Sequence, residues 1–335
     1  MPDSKLTSSI AIIGAGDVGA TIAYSLILSS TTSEILLVDP QEDLRDAQIQ
    51  DLADAAAHTN TPTAIRAGTP AEAGQCDIIV FAAGAKQKEG ESRTDLLSRN
   101  KSILESSLHD MRPFGAHTVL LLVANPVDTL TQLAQRASGL PTPRVFGTGT
   151  TLDSARLRST LASRARVATS AVHGWVLGEH GSSQVVAWSG VRIGGAALEA
   201  ALPSGVSVDK EAVAADVRDT AARVIAGKGS TNFGIGAVAA GLCGSVLRDE
   251  GVVRVVSWWH AELGVCLSSP AVVGRGGVVR GVDGGFSEEE REGLEESAKA
   301  LRGVLEELEK EEGEGKGENE KNEEKEKNEK GEEKS

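Results

Sequence analysis

At 335 residues with a formal net charge of -14, the chain is long enough for about two domains. It carries the wrong sign for a surface that grips nucleic-acid phosphates, although much of the acid lies in one terminal run. Only 3% of the residues are aromatic, so Ala, Val, Leu and Ile must fill the core, and the three cysteines, Cys76, Cys243 and Cys266, are odd in number and far apart. That spacing argues against a disulfide framework and against a zinc cluster, and leaves a reducing compartment and no metal as the expectation. The N-terminal MPDSKLTSS lacks the features of a signal or transit peptide, no run is long and apolar enough to span a bilayer, and GEEKS is no peroxisomal address. A soluble cytoplasmic protein with no nucleic-acid and no membrane partner is expected.

In chain order, SIAIIGAG reads as a buried strand and Val18 to Leu28 as a helix, followed by EILLVD as a strand and Leu44 to Ala56 as a helix. DIIVFAAG is the next strand, and it leads into the charged AKQKEGESR before a helix over Thr94 to Met111. TVLLLVANP is a further strand, and a helix over Asp128 to Ala137 starts after the natural break at Asn125-Pro126. Strand and helix alternating in this way indicate a parallel sheet with helical crossovers. From about Gly149 the alternation loosens. Helices are expected at Leu152 to Ala165, Lys210 to Ala226, Phe233 to Leu247 and Glu288 to Leu308, among shorter strands and Gly-rich turns. From Glu309 no apolar residue remains to be buried, so this Glu/Lys-rich tail is expected to be disordered.

The first strand and helix are joined by GAGDVG, Gly14 to Gly19, a GxGxxG in the strand-to-helix context that gives the pattern meaning. Gly14 allows the tight turn, Gly16 a close approach of pyrophosphate to backbone, and Gly19 close packing of helix on strand. Asp39 ends the next strand at the offset of about 20 residues where a carboxylate accepts ribose hydroxyls and repels a 2'-phosphate. The expected cofactor is therefore NAD. The expected fold is α/β: an N-terminal Rossmann, doubly wound parallel sheet over residues 1–149 and a mixed α+β substrate domain over 150–308, with the tail at 309–335.

Further on, GWVLGEHGSS places His180 between glycines after a strand, and TTLDSARLR puts Asp153 and Arg156 three apart on one helical face. A carboxylate against an imidazole fixes its tautomer and stabilises its charged form, as a proton donor near neutral pH requires.

Taken with GAGDVG, AGAKQKEGESR, VANPVD, LDSARLR, GWVLGEHG and the late SSPAVVGRGGV, the chain from about Ser8 to Leu308 resembles the L-lactate/malate dehydrogenase family. The resemblance implies that His180 exchanges a proton with the substrate's 2-hydroxyl or 2-oxo oxygen while Asp153 orients it. It also implies that Arg156 grips the substrate carboxylate and that Asn125 lies near the reacting oxygen. It makes AKQKEGESR a lid over coenzyme and substrate, with Arg93 polarising the substrate carbonyl once water is expelled. Thr231 borders the small substrate side chain. The cofactor set becomes Gly14, Gly16, Asp17, Val18, Gly19, Asp39, Ala83, Gly84 and Asn125.

Gln87 stands where the family's malate enzymes carry an arginine and its lactate enzymes a glutamine. A neutral amide cannot compensate a second buried carboxylate, so pyruvate is favoured over oxaloacetate. The expectation is reversible hydride transfer between NADH and pyruvate to give L-lactate. Lys86 and Lys88 beside Gln87 keep a malate or other L-2-hydroxyacid activity open, and an NAD-binding protein without turnover is the alternative of another class. Ser182 replaces an acid common among relatives, which implies tuning of the site. Arg158 and His173 resemble positions that bind a sugar bisphosphate activator in some bacterial relatives, although enzymes that are not activated can carry the same residues. The chain begins too near its first strand to carry the N-terminal arm that vertebrate relatives exchange between subunits. The family's mode of assembly implies a homotetramer, with a dimer next.

Overall fold

A nine-stranded sheet organises the molecule. The computed structural model describes residues 8–85 and 92–332, without the side chains of Arg93 and of residues 311–332. Six strands are mutually parallel: β1 (Ser9–Ile13), β2 (Glu34–Val38), β3 (Ala64–Ala67), β4 (Ile78–Phe81), β5 (Val119–Leu122) and β6 (Val145–Gly147). Their spatial order is β6-β5-β4-β1-β2-β3, so the direction of progression reverses between β1 and β4. In such sheets ligands bind outside the carboxyl ends of the strands at that reversal.

The strands lack polar alternation because both faces are covered. Ile10 and Ile12 of β1 join one apolar cluster and Ala11 and Ile13 the other. On the first face lie α1 (Asp17–Leu28), α2 (Glu42–Thr59) and a helix from the second half, α9 (Phe233–Leu247). The second face carries the short α3 (Pro70–Ala73), α4 (Arg93–Asp110), α5 (Val127–Ser138) and the start of α10 (Glu288–Glu332). The edge strand β3 is half exposed and was not anticipated, because AIRA has neither the length nor the apolar continuity of its neighbours.

The second half begins with α6 (Thr151–Ala165), followed by the two-residue strands β7 (Val172–His173), β8 (Val176–Leu177), β9 (Val185–Val186), β10 (Arg192–Ile193) and β11 (Ala196–Ala197). Next come α7 (Leu198–Ala201), α8 (Lys210–Lys228) and α9, and then the long antiparallel β12 (Val252–His260), β13 (Val265–Gly274) and β14 (Gly277–Gly281). Its own core joins Leu157 and Leu161 of α6 to Val213 and Val217 of α8 over the short strands. The last three strands continue the parallel sheet, with Ser257 of β12 paired to Gly147 of β6. The second half therefore shares the sheet as well as packing on it. The backbone of α10 runs to Glu332, where the sequence reading expects no fixed structure. Among the described side chains, Leu305 and Leu308 are the last of α10 that the core takes up. No helix among the described residues is long and apolar enough to cross a membrane.

Candidate active site

Three glycines shape the carboxyl end of β1. Gly14 has φ +105°, and a Cβ there would lie 2.8 Å from the backbone N of Ala83, so the turn is pressed against the end of β4. A Cβ on Gly19 would sit 1.9 Å from the Gly14 carbonyl oxygen, which brings α1 tight onto the same turn. Gly16 is the opposite case: it is exposed, and a Cβ would meet nothing within 4 Å. As the N-cap of α1 it offers no capping side chain, so the first-turn N–H groups face open space at the positive end of the helix.

An anionic pyrophosphate fits that cradle. Asp39, half exposed at the end of β2, accepts the Ala15 N–H at 2.7 Å through Oδ2 and the Gln41 N–H at 2.8 Å through Oδ1. Each oxygen keeps a lone pair for a ribose hydroxyl. Asp17 and Val18 form the first turn of α1, and the Asp17 carboxylate accepts the Ser230 hydroxyl at 3.0 Å. Ala83 and Gly84 border the same crevice from β4.

Gln87 lies outside the described residues, as does the side chain of Arg93, and the two flanks of that segment are anchored. Ala85 donates its N–H to Asn100 Oδ1 at 2.8 Å, and Asn100 Nδ2 donates to the Asn125 carbonyl at 3.0 Å. Ser92 caps α4 in a reciprocal box with Asp95, its Oγ accepting the Asp95 N–H at 3.0 Å and donating to Oδ2 at 2.7 Å. Helix α4 thus starts at Arg93, one residue before the predicted start.

The chemical end is a chain of buried charges. His180 follows β8, and its Nδ1 lies 2.7 Å from Asp153 Oδ2, while Asp153 Oδ1 accepts from Arg156 at 3.0 Å. The Asp153 side chain is 2% exposed and that of His180 is 25% exposed. Nδ1 is thereby committed to the carboxylate, and Nε2 is left to meet a substrate. The His180 backbone N–H donates to Asp128 Oδ2 at 2.7 Å, and the adjacent Glu179 N–H donates to the buried Ser297 hydroxyl of α10 at 2.7 Å.

Burial pulls the imidazole's pKa down, but the hydrogen bond and charge of Asp153, with the charge of Asp128, raise it above the ordinary histidine value. Burial likewise pushes Asp153 up, and His180 and Arg156 overcome it and hold the carboxyl below its usual range. Asp128 differs: burial outweighs the neighbours that lower it, and it is pushed up to about 6.

Of the expected residues, His180, Asp153 and Arg156 come together in direct contact. Thr231 is half buried in the loop between α8 and α9. That loop is tied to α1 by Ser230–Asp17 and by Asn232 Nδ2 donating to Thr21 Oγ1 at 3.0 Å. A Cβ on Gly234, in the first turn of α9, would lie 3.1 Å from Leu152, which adjoins Asp153, so the loop leads from α1 into a helix that starts beside the His180 partner. Asn125 is exposed at the end of β5 and is joined to the Ala85 flank through Asn100. Ser182 is exposed, and its neighbour Ser183 donates to Glu179 Oε2 at 2.6 Å. Arg158 is half buried and donates to the Gly174 carbonyl at 3.3 Å, and His173 is exposed on β7.

Three supporting residues escaped the sequence reading. Asn100 is 2% exposed on the buried stripe Leu97-Asn100-Leu104, where a polar residue at helical spacing is the available signal. Asp128 is a carboxylate in the first turn of a helix whose surrounding run, Val127 to Ala134, is entirely buried. Ser297 carries no signal that local pattern could raise.

Comparison with known proteins accords with this geometry. The family model described as lactate/malate dehydrogenase, NAD binding domain, matches residues 8–147, and that described as lactate/malate dehydrogenase, alpha/beta C-terminal domain, matches residues 150–312. L-lactate dehydrogenase A of Rhizopus oryzae is 44% identical over 299 residues, covering 89% of this chain and 92% of that protein. L-lactate dehydrogenase of Deinococcus radiodurans is 40% identical over 304 residues, covering 89% and 99%. Among solved structures, the lactate dehydrogenase MGS-M5 from a Medee basin deep-sea metagenome library superimposes with a TM-score of 0.87 at 31% identity, covering 90% of this chain and 99% of that one. The minor L-lactate dehydrogenase from Enterococcus mundtii in its ligand-bound form gives 0.85 at 31%, covering 90% and 98%.

Proposed function

The chain belongs to the lactate/malate dehydrogenase family, and from that premise we propose that it is an NAD-dependent L-lactate dehydrogenase: pyruvate + NADH + H+ ⇌ L-lactate + NAD+. The observation that carries the reading is the His180–Asp153–Arg156 arrangement around a buried carboxylate, with contacts of 2.7 and 3.0 Å, beside an open glycine cradle.

NAD, held by Gly14, Gly16, Asp17, Val18, Gly19, Asp39, Ala83, Gly84 and Asn125, supplies or accepts the hydride when bound. The rest belongs to the chain's own residues. Arg156 engages Asp153 through one nitrogen and has further N–H groups for the substrate carboxylate, whose bidentate capture sets the 2-oxo carbon in place. Protonated His180 gives its Nε2 proton to the 2-oxo oxygen in reduction and takes it back in oxidation. Asp153 holds the ring's orientation and its charged form, so the donor is loaded near neutral pH. Asn125 supports the same oxygen, Arg93 polarises the carbonyl, and Thr231 limits the space beside the substrate's methyl group.

Gln87 decides between pyruvate and oxaloacetate. Initial rates of NADH oxidation with the two substrates, side by side, test the reading. A large preference for pyruvate is expected; preference for oxaloacetate would assign the second carboxylate to Lys86 or Lys88, and no turnover with either would leave an NAD-binding protein. The same reading carries a homotetramer, then a dimer, which light scattering at working concentration checks. It also carries a cytoplasmic, fermentative setting for glycolytic pyruvate.

A further inference from the structure

We propose that Asp128 is a positioning residue for His180: its carboxylate fixes the histidine's backbone and adds a second negative charge near the imidazole, beside that of Asp153. The inference rests on the reading of His180 as the proton donor. Asp128 lies in the first turn of α5, three residues after Asn125, and is 2% exposed. Its Oδ2 accepts the His180 N–H at 2.7 Å. One side chain therefore ties the β5 loop that carries Asn125 to the β8 turn that carries His180.

The surroundings of the carboxyl are not those of an inert core residue. Oδ1 has no hydrogen-bond partner, and neither does the buried Ser257 hydroxyl from β12. That hydroxyl is close enough to pull the carboxyl's pKa part of the way back from its raised value, although the pair falls short of hydrogen-bond geometry. Glu179, beside His180, raises it further. From β13 the Cys266 thiol faces Asp128; burial and that carboxylate keep the thiol neutral, while Arg136 of α5 opposes them. Gln132 of α5 is already committed, its Oε1 accepting the Cys266 N–H at 3.0 Å. His180 is therefore the titratable cation next to Asp128, and each charge supports the other. The two carboxylates and the imidazole titrate as a coupled set, so the ring stays protonated to higher pH than Asp153 alone would hold it.

The experiment compares full-length wild type with Asp128→Asn and Asp128→Ala. Two readouts are taken: the pH profile of kcat/KM for pyruvate reduction, and the His180 Cε1–H NMR titration assigned against His180→Asn. The amide oxygen of Asp128→Asn still accepts the N–H but carries no charge. Its high-pH limb and its His180 titration should both move to lower pH by about half a unit or more. Asp128→Ala, which also loses the acceptor, should lower the low-pH plateau further, by about tenfold. A purely structural role would lower rates or stability without moving the titration, so an unshifted His180 in Asp128→Asn overturns the inference. If Asp128→Asn does not fold, Asp128→Ala decides by the same titration: it too removes the charge, so a His180 signal that titrates as in wild type overturns the inference equally. Wild type that fails to reduce pyruvate would sink the proposed activity, while the NMR titration would still judge the role of Asp128.

Discussion

The coenzyme end of the crevice is made by backbone, through glycines that remove side chains, whereas the chemical end is made by charged side chains gathered around two buried carboxylates. Gly14, Gly16 and Gly19 act by what they lack: one permits φ +105°, one leaves open space, and one lets α1 approach to where a Cβ would overlap a carbonyl. His180, Asp153, Arg156 and Asp128 act by charges held a few ångströms apart in a poorly hydrated place. Substitutions at the first end should therefore act through sterics and be indifferent to pH, and those at the second should act through charge and depend on it.

The largest effect expected breaks the chemical end alone. His180→Asn removes the proton donor and should lower kcat by about 10²- to 10⁴-fold. NADH affinity, measured by fluorescence titration, should stay near wild type, because no glycine contact is touched. Loss of NADH binding in this variant would erase the distinction between the two ends.

The coenzyme end can be divided within itself. Gly19→Ala forces a Cβ to 1.9 Å from the Gly14 carbonyl, and overpacking of this kind costs about 1–3 kcal/mol. It should lower the midpoint of thermal unfolding and weaken NADH binding together. Gly16→Ala meets no protein atom within 4 Å, so stability should hold while NADH affinity falls. Calorimetry beside NADH titration separates the two, and a Gly16→Ala enzyme with wild-type affinity would show that pyrophosphate does not approach there.

The same division explains what could be read from the sequence. The parallel strands, GxGxxG and Asp39 were legible because their causes are local: continuous apolar runs require burial on both faces, and a glycine fingerprint lies within one turn. Helices were placed within a few residues for the same reason. The pairing of Asp153 with Arg156 was also local, three residues apart on one helix. By contrast β3, β6 and the junction of Ser257 with Gly147 are set by partners far along the chain, and the strands involved are too short or too exposed to carry a pattern. Ser297 reaches the His180 turn from α10, and no spacing rule links positions so distant.

The pH behaviour sharpens the comparison further. His180's pKa is raised in the fold, so pyruvate reduction should hold through its ordinary value of about 6.5 and fall as pH rises through the higher one, with lactate oxidation rising over the same range. Linkage runs the same way: the stability contributed by His180 is fully present below its unfolded pKa and is lost as pH rises through the folded one. Asp153 runs oppositely. Its carboxyl is lowered, so its contribution is present above the unfolded value and lost as pH falls through the folded one. Stability curves of wild type and Asp153→Asn should therefore converge in acid, below the ordinary carboxylate range. Parallel curves across that range would deny the coupling.

The smallest effect is expected at the joint between the two ends. Asn100 is buried and has both groups of its amide in use, one accepting from Ala85 after β4 and the other donating to Asn125 at the β5 loop. Asn100→Ala leaves an N–H and a carbonyl without these partners, a loss of about 1–3 kcal/mol if water cannot replace them. Leu97 and Leu104 still hold α4 on the sheet, so folding should survive with a modest drop in the unfolding midpoint. Of the two anchored segments, one leads toward Gln87 and the other carries Asn125. Freeing them should therefore lower kcat/KM for pyruvate by several-fold more than it weakens NADH binding. Asn100→Asp is the informative partner variant: its carboxylate can keep the bond from the Ala85 N–H but cannot donate to the Asn125 carbonyl. If Asp at this position matches wild type in kcat/KM while Ala does not, the bond from Ala85 is the one that matters. If both fall together, Asn125 depends on Asn100 for its place, and the joint works from the chemical side.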